Sequence, residues 1–197
     1  MVPVVSVFAP RAALAAAVIG LCVVAPASAA SAAPKGCVIG TWKQTGMSGT
    51  VIADDSYTEV HGGAGVKLTI ARTSVRYDFN KSAKETTTGE VEGIHWSAWT
   101  KYTKLLSFDA TVKGSASGSV RLKPKTAEGG AIGRSQVANL GPERSWKLRT
   151  TYRGGGQESI APIKSSFTCK GKSLTLKSGF SFDGRKITVD RFFTRVP

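Results

Sequence analysis

The chain of 197 residues carries 27 lysines and arginines against 13 aspartates and glutamates, a formal net charge of +14, with three cysteines and two histidines. Two histidines, His61 and His95, exclude a histidine-rich metal site and leave little material for an acid–base pair. So large a basic excess turns attention toward anionic partners.

Near the N-terminus Arg11 precedes an unbroken apolar run from Ala12 to Val24, and Ala27-Ser28-Ala29 obeys the small-x-small rule for signal cleavage. The run is shorter than the roughly 20 apolar residues that span a bilayer. Residues 1–30 are therefore expected to be a signal peptide cleaved near Ala29, leaving residues 31–197 as one secreted domain with a charge of +13 once Arg11 is lost. Cys22 leaves with that segment, because Leu21 before it is not the small residue that lipid attachment needs. Cys37 and Cys169 remain, an even pair in an oxidising compartment. Nothing after the signal is apolar enough to cross a membrane as a helix.

Gly36-Cys37-Val38-Ile39-Gly40-Thr41-Trp42-Lys43 opens the domain with a short apolar, β-rich run. Period-two alternation then dominates. Val66 to Ile70 and Val75 to Phe79 alternate on either side of Ala71-Arg72-Thr73-Ser74 and read as a hairpin. Leu106, Phe108, Ala110 and Val112 share a face, as do Val120 and Leu122, and Leu174 and Leu176. Trp146, Leu148 and Tyr152 are read as a further strand face, and Ile187 with Val189 follows a turn at Asp183-Gly184. Gly46 to Asp55 and Pro124 to Pro142, rich in Gly, Ser, Ala and charge, read as the least regular stretches. The expectation is an all-β domain, a single antiparallel barrel of about 8–10 strands.

Gly40-Thr41-Trp42-Lys43 resembles the Gly-x-Trp signature of the calycin superfamily, the lipocalins, fatty-acid-binding proteins and avidins. The layout also resembles secreted actinobacterial proteins of lipocalin-like type. The resemblance implies a barrel closed at one end by Trp42, with a basic residue near the C-terminus packed across the indole. Arg195 is the natural match and Arg191 the second. The Thr-Asp-Tyr lipocalin motif and the helix that follows the last strand in lipocalins are missing. In fatty-acid-binding proteins an Arg-x-Tyr pair near the C-terminus holds a ligand carboxylate, and Arg191-Phe192-Phe193 resembles it with phenylalanine replacing the tyrosine.

Cys37 and Cys169 stand 132 residues apart, too far for a redox Cys-x-x-Cys, and are expected to form a structural bridge at the barrel seam. On a regular strand Arg191 shares the inward face with Ile187, Val189 and Phe193, so it meets an acid or an anionic ligand. Otherwise a bulge turns it outward, or it stacks on Trp42. Trp96 and Tyr102 share parity and either line the ligand site with Arg191 and Phe193 or pack in core and rim. The cations fall on the polar faces of many strands, among them Lys67, Arg76, Lys113, Arg121, Lys147, Arg149 and Lys177. A basic exterior of that kind either attracts polyanions or keeps the protein soluble.

No catalytic residue, metal site or cofactor is expected, since Gly114-Ser115-Ala116-Ser117-Gly118 puts alanine where a nucleophile elbow needs serine. The leading expectation is a binding protein for a small hydrophobic or anionic molecule in its lumen. The alternative is a module that binds cell-wall or membrane polyanions through its exterior around a filled lumen, without specific recognition of nucleic acid. A third reading has the two irregular stretches contact another protein.

Overall fold

The alternation is realised as strands β1 (Gly40–Ala53), β2 (Ser56–Gly62), β3 (Lys67–Ile70), β4 (Ser74–Asp78), β5 (Glu85–Val91), β6 (Ile94–Thr103) and β7 (Leu105–Gly114). They continue through β8 (Ser117–Leu122), β9 (Ile132–Val137), β10 (Leu140–Lys147), β11 (Lys164–Lys170), β12 (Ser173–Phe182) and β13 (Arg185–Arg195). One short helix, α1 (Leu148–Arg153), and a 3₁₀ turn at Pro124–Thr126 interrupt them. This is a computed structural model, and it describes residues 36–197 apart from 54–55, 139 and 183–184. The proposed signal, the acidic pair Asp54-Asp55 and the turn at Asp183-Gly184 lie outside the described residues.

All thirteen strands belong to one antiparallel sheet in the order β10-β9-β6-β5-β2-β1-β13-β12-β11-β8-β7-β4-β3. β3 returns to β1, so eight strands close an antiparallel barrel: β1, β13, β12, β11, β8, β7, β4 and β3. The other five continue the sheet outside it as a flank. β1 makes both possible. Gly40–Lys43 pairs with β3, whereas Met47–Ala53 pairs with β2, and a bulge between Gln44 and Gly46 separates the two halves. Among the described residues β10 is the strand with a free edge, and it carries Pro142, Arg144 and Lys147, residues that discourage pairing with another chain.

The stretch from Gly46 to Asp55, read from composition as irregular, is corrected: Met47–Ile52 within it is strand paired on both edges. Likewise Pro124 to Pro142 holds a 3₁₀ turn and β9. In both places backbone pairing with neighbours, which composition does not report, holds the chain. The strand expected through Trp146, Leu148 and Tyr152 ends at Lys147, and α1 carries the last two. A spacing of four satisfies a helical and a strand period alike.

Trp42 stands near the start of β1, where that strand pairs with β3 and β13. Its indole is fully buried and Nε1 donates to the carbonyl of Val38 at 2.9 Å. The Arg195 guanidinium lies 4.2 Å from the ring centre, and it donates to the carbonyls of Ile39, at 3.2 Å, and Cys37. Such a cation–π contact contributes about 0.5–2 kcal/mol. Gly40 makes room for it: a Cβ there would stand 2.5 Å from Arg195 Nη1. The disulfide Cys37–Cys169 joins this entry segment to β11, across the barrel. Farther in, Tyr77 packs on Phe79 and Phe108, Phe79 on Tyr102, Tyr102 on Trp146 and Phe108 on Tyr152. That run of rings joins the barrel to the flank and to α1.

The bridge closes a loop of 132 residues, so the Cys37→Ser/Cys169→Ser double variant is expected to lose about 3–5 kcal/mol of unfolding free energy, read from urea denaturation.

Candidate functional site: a strapped interior and a charged exterior

Between α1 and β11, residues 157–163 have no regular structure and cross the inner side of the sheet as a strap. Nearly every strand they pass supplies a polar side chain. Trp146 of β10 donates from Nε1 to Glu158 at 2.8 Å, and the Tyr102 hydroxyl of β6 donates to the same carboxyl group at 3.0 Å. Ser159 donates to Glu85 of β5 at 3.1 Å. Arg191 of β13 donates from Nη1 to the Ile160 carbonyl at 2.7 Å and from Nη2 to Ser165 Oγ at 2.9 Å. Ser165 in turn bonds Ser178 of β12. On the other side the Tyr152 hydroxyl donates to the Ala161 carbonyl at 2.6 Å.

Arg191 faces inward, with no solvent exposure. Its two terminal nitrogens, the atoms a ligand carboxylate would use, are held by the protein itself, one by the strap and one by Ser165 of β11. Phe193 is buried two residues on, opposite Gln44 and Leu174. Tyr102 is buried in the flank and works on the strap through its hydroxyl. Trp96 lies six residues along β6, about 20 Å away at strand spacing. It is half-buried over Gly89 and lines an open concavity of about 500 Å³ with Tyr57 and His95 on the flank. The four candidate ligand residues are therefore not brought to one lumenal site. Arg191 and Phe193 lie in the barrel, while Trp96 and Tyr102 lie in the flank.

The interior contains groups that the alternation did not reveal. Glu85 is buried, and burial pushes its carboxyl up to about 8; the neighbouring Glu158 adds to the rise, while the Ser159 hydrogen bond and Arg191 oppose it. At neutral pH it is therefore mostly the neutral acid. Glu158 is raised by burial as well, against the bonds from Trp146 and Tyr102. Both amide atoms of Gln44, Glu85 Oε1 and Arg191 Nε are buried without a hydrogen-bond partner. Gln44 and Glu85 carry no sequence signal, since both sit among polar neighbours on strands. Glu158 follows a glycine run that reads as loop.

Outside, every cation named from the strand pattern is exposed, from Lys67 through Lys177. Among the described residues two lysine or arginine side chains form ion pairs: Arg134 with Glu143 at 3.6 Å and Lys177 with Asp190 at 2.9 Å. Lys101 faces Arg134 across β6 and β9, and Arg121 faces Lys164 across β8 and β11. Both histidines sit on the flank's outer face, each beside a glutamate: His61 by Glu59 at 3.2 Å and His95 by Glu90 at 3.5 Å. Exposed apolar Ile52 and Tyr57, opposite each other on β1 and β2, share that face, whereas exposed Val91 and Ile94 at the end of the β5–β6 hairpin lie on the other. Among the described residues no group of three or more His, Cys, Asp or Glu side chains is placed to hold a metal ion, and no helix is long and apolar enough to cross a membrane.

No family model, curated protein or solved structure matches the chain.

Because Glu85 carries its proton in the folded protein up to about pH 8 but loses it near pH 4.5 when unfolded, its contribution favours folding below pH 4.5 and is lost as pH rises toward 8. Glu85→Gln is expected to flatten that part of the stability profile and to raise stability at pH 8, measured by urea unfolding across the range.

Proposed function

We propose that this is a secreted, non-catalytic binding protein of calycin-like architecture that works from its exterior, taking up extracellular polyanions such as cell-wall polymer or anionic lipid headgroups. The observation that carries this reading is the exterior itself. Exposed cations stand on strands all round the sheet, and two of them are in ion pairs among the described residues. Neutralising the phosphates of a polymer releases condensed counterions, a gain that grows with each cation engaged. The strap supports the same reading from inside, since it occupies Arg191 with a backbone carbonyl. The closed eight-stranded barrel and the Arg195–Trp42 contact support the calycin resemblance, and the Cys37–Cys169 bridge supports secretion.

A second reading keeps a small polar molecule in the interior. It is favoured by the orphaned atoms of Gln44, Glu85 and Arg191, because buried polar atoms without partners ordinarily hold water or ligand.

The two part on salt and on Arg191. Exterior binding predicts that affinity for polyphosphate falls on the order of 10- to 100-fold between about 50 and 200 mM salt. It also predicts that Arg191→Met leaves that affinity unchanged while lowering the thermal midpoint. Affinity that is flat in salt and abolished by Arg191→Met would sink it. A small-molecule mass in the native mass spectrum that disappears on denaturation would establish the interior site.

A further inference from the structure

Where the junction of β6 and β7 meets the start of α1, the surface folds into a concavity of about 280 Å³ lined by Lys104, Lys147, Arg149 and the turn Gly129-Gly130. Three separate elements deliver the cations. Lys104 stands between β6 and β7, Lys147 ends β10, and Arg149 lies in the first turn of α1. No acid lines the concavity, and none of the three cations is in an ion pair among the described residues.

One further observation shows that the fold holds a cation here at some cost. Lys104 is held at φ +67°, a left-handed conformation that costs a side-chain-bearing residue about 1 kcal/mol or more. The barrel fixes it there: its N–H donates to Asn80 Oδ1 at 3.2 Å and its carbonyl accepts from Phe79 at 2.9 Å. Two positions along the strands, Lys101 stands opposite Arg134, which also contacts Glu143 at 3.6 Å. An anion in the concavity would bring counter-charge to Lys104, Lys147 and Arg149. The turn suits close approach as well. Gly129 has φ +107°, and a Cβ there would meet the Leu105 carbonyl oxygen of β7, so glycine lets the turn lie flat on the barrel and leaves the concavity open.

We propose that this concavity is the anion subsite of the protein and takes a phosphate group carried on a soluble polymer. The Arg149 guanidinium offers a planar fork to two phosphoryl oxygens, and the ammonium groups of Lys104 and Lys147 meet the others as point charges. The inference rests on the exterior-binding reading and gives it a place. The rest of the basic surface then steers the chain and the subsite grips it.

The test compares two triple variants of equal net charge. K104Q/K147Q/R149Q empties the subsite. K113Q/K170Q/K172Q removes as much charge from the far end of the barrel, where Lys113 lies nine residues, about 30 Å, along β7 from Lys104. Titrated with polyphosphate, the first is expected to lose affinity by about 30-fold or more and to lower the salt slope by about 2, the control to lose less than about 3-fold. Equal losses would overturn the subsite and leave diffuse exterior binding standing. No binding by the unaltered protein at about 150 mM salt would overturn both. Tighter binding to polygalacturonate would overturn the phosphate assignment, and tighter binding to phosphatidylglycerol vesicles the soluble polymer. Thermal unfolding of each variant checks that the fold is kept.

Discussion

A β-strand has hydrogen-bonding groups along two edges, and the way β1 uses its second edge governs this molecule. One edge pairs with β13 throughout. The other pairs with β3 for four residues and, after the bulge at Gln44–Gly46, with β2 for seven. The first pairing closes a barrel of eight strands; the second starts the flank of five. Because both grow from one strand, the flank's inner face continues the barrel's, and a sheet that long curls into a trough. An open trough lined by apolar residues would be a liability in water. The strap at 157–163 fills it.

Filling it required polar groups, since a segment without regular structure brings carbonyls and N–H groups that need partners. Arg191 and Tyr152 supply them to the carbonyls of Ile160 and Ala161, while Tyr102 and Trp146 hold the Glu158 side chain. The arrangement carries a buried cation, and the nearby Glu85 does not fully neutralise it, because burial keeps that carboxyl largely protonated at neutral pH. Glu85 is thus closer to a hydrogen-bonding partner than to a counterion. The interior is held by directional bonds to one segment, while the exterior keeps most of its charge uncompensated.

The exterior is not uniform. Lysines and arginines crowd the β6–β7 junction, the 129–130 turn and the start of α1, whereas Glu59, Glu90 and both histidines share the flank's outer face with exposed Tyr57. His95 and Lys101 share parity on β6, so the two kinds of charge are sorted along one face of the flank, about 20 Å apart. Such sorting gives a strongly basic protein an orientation in the field of an anionic surface.

The sequence by itself determined the periodic part. Alternation of apolar and polar residues fixed the class, placed Leu68, Tyr77, Phe108, Leu176 and Val189 inside, and put most lysines and arginines of the same strands outside, because the side-chain direction of a strand follows from parity, whereas for Arg191 an inward and an outward placement both stayed open. Gly40 and Trp42 near one end of the chain and Arg195 at the other were legible for the same local reason: small, flat and cationic groups stack. Pairing partners were not legible. Which strand lies beside which depends on hydrogen bonds between residues far apart in the chain, and nothing within β1 says that its second edge will be divided. Tertiary structure therefore decided that Trp96 would lie over Gly89 in a flank outside the barrel, that Arg191 would bond Ile160, that Glu85 would lose contact with water and that Lys104, Lys147 and Arg149 would share one concavity. Each of those facts is a meeting of distant segments, and distance along the chain is what parity does not read.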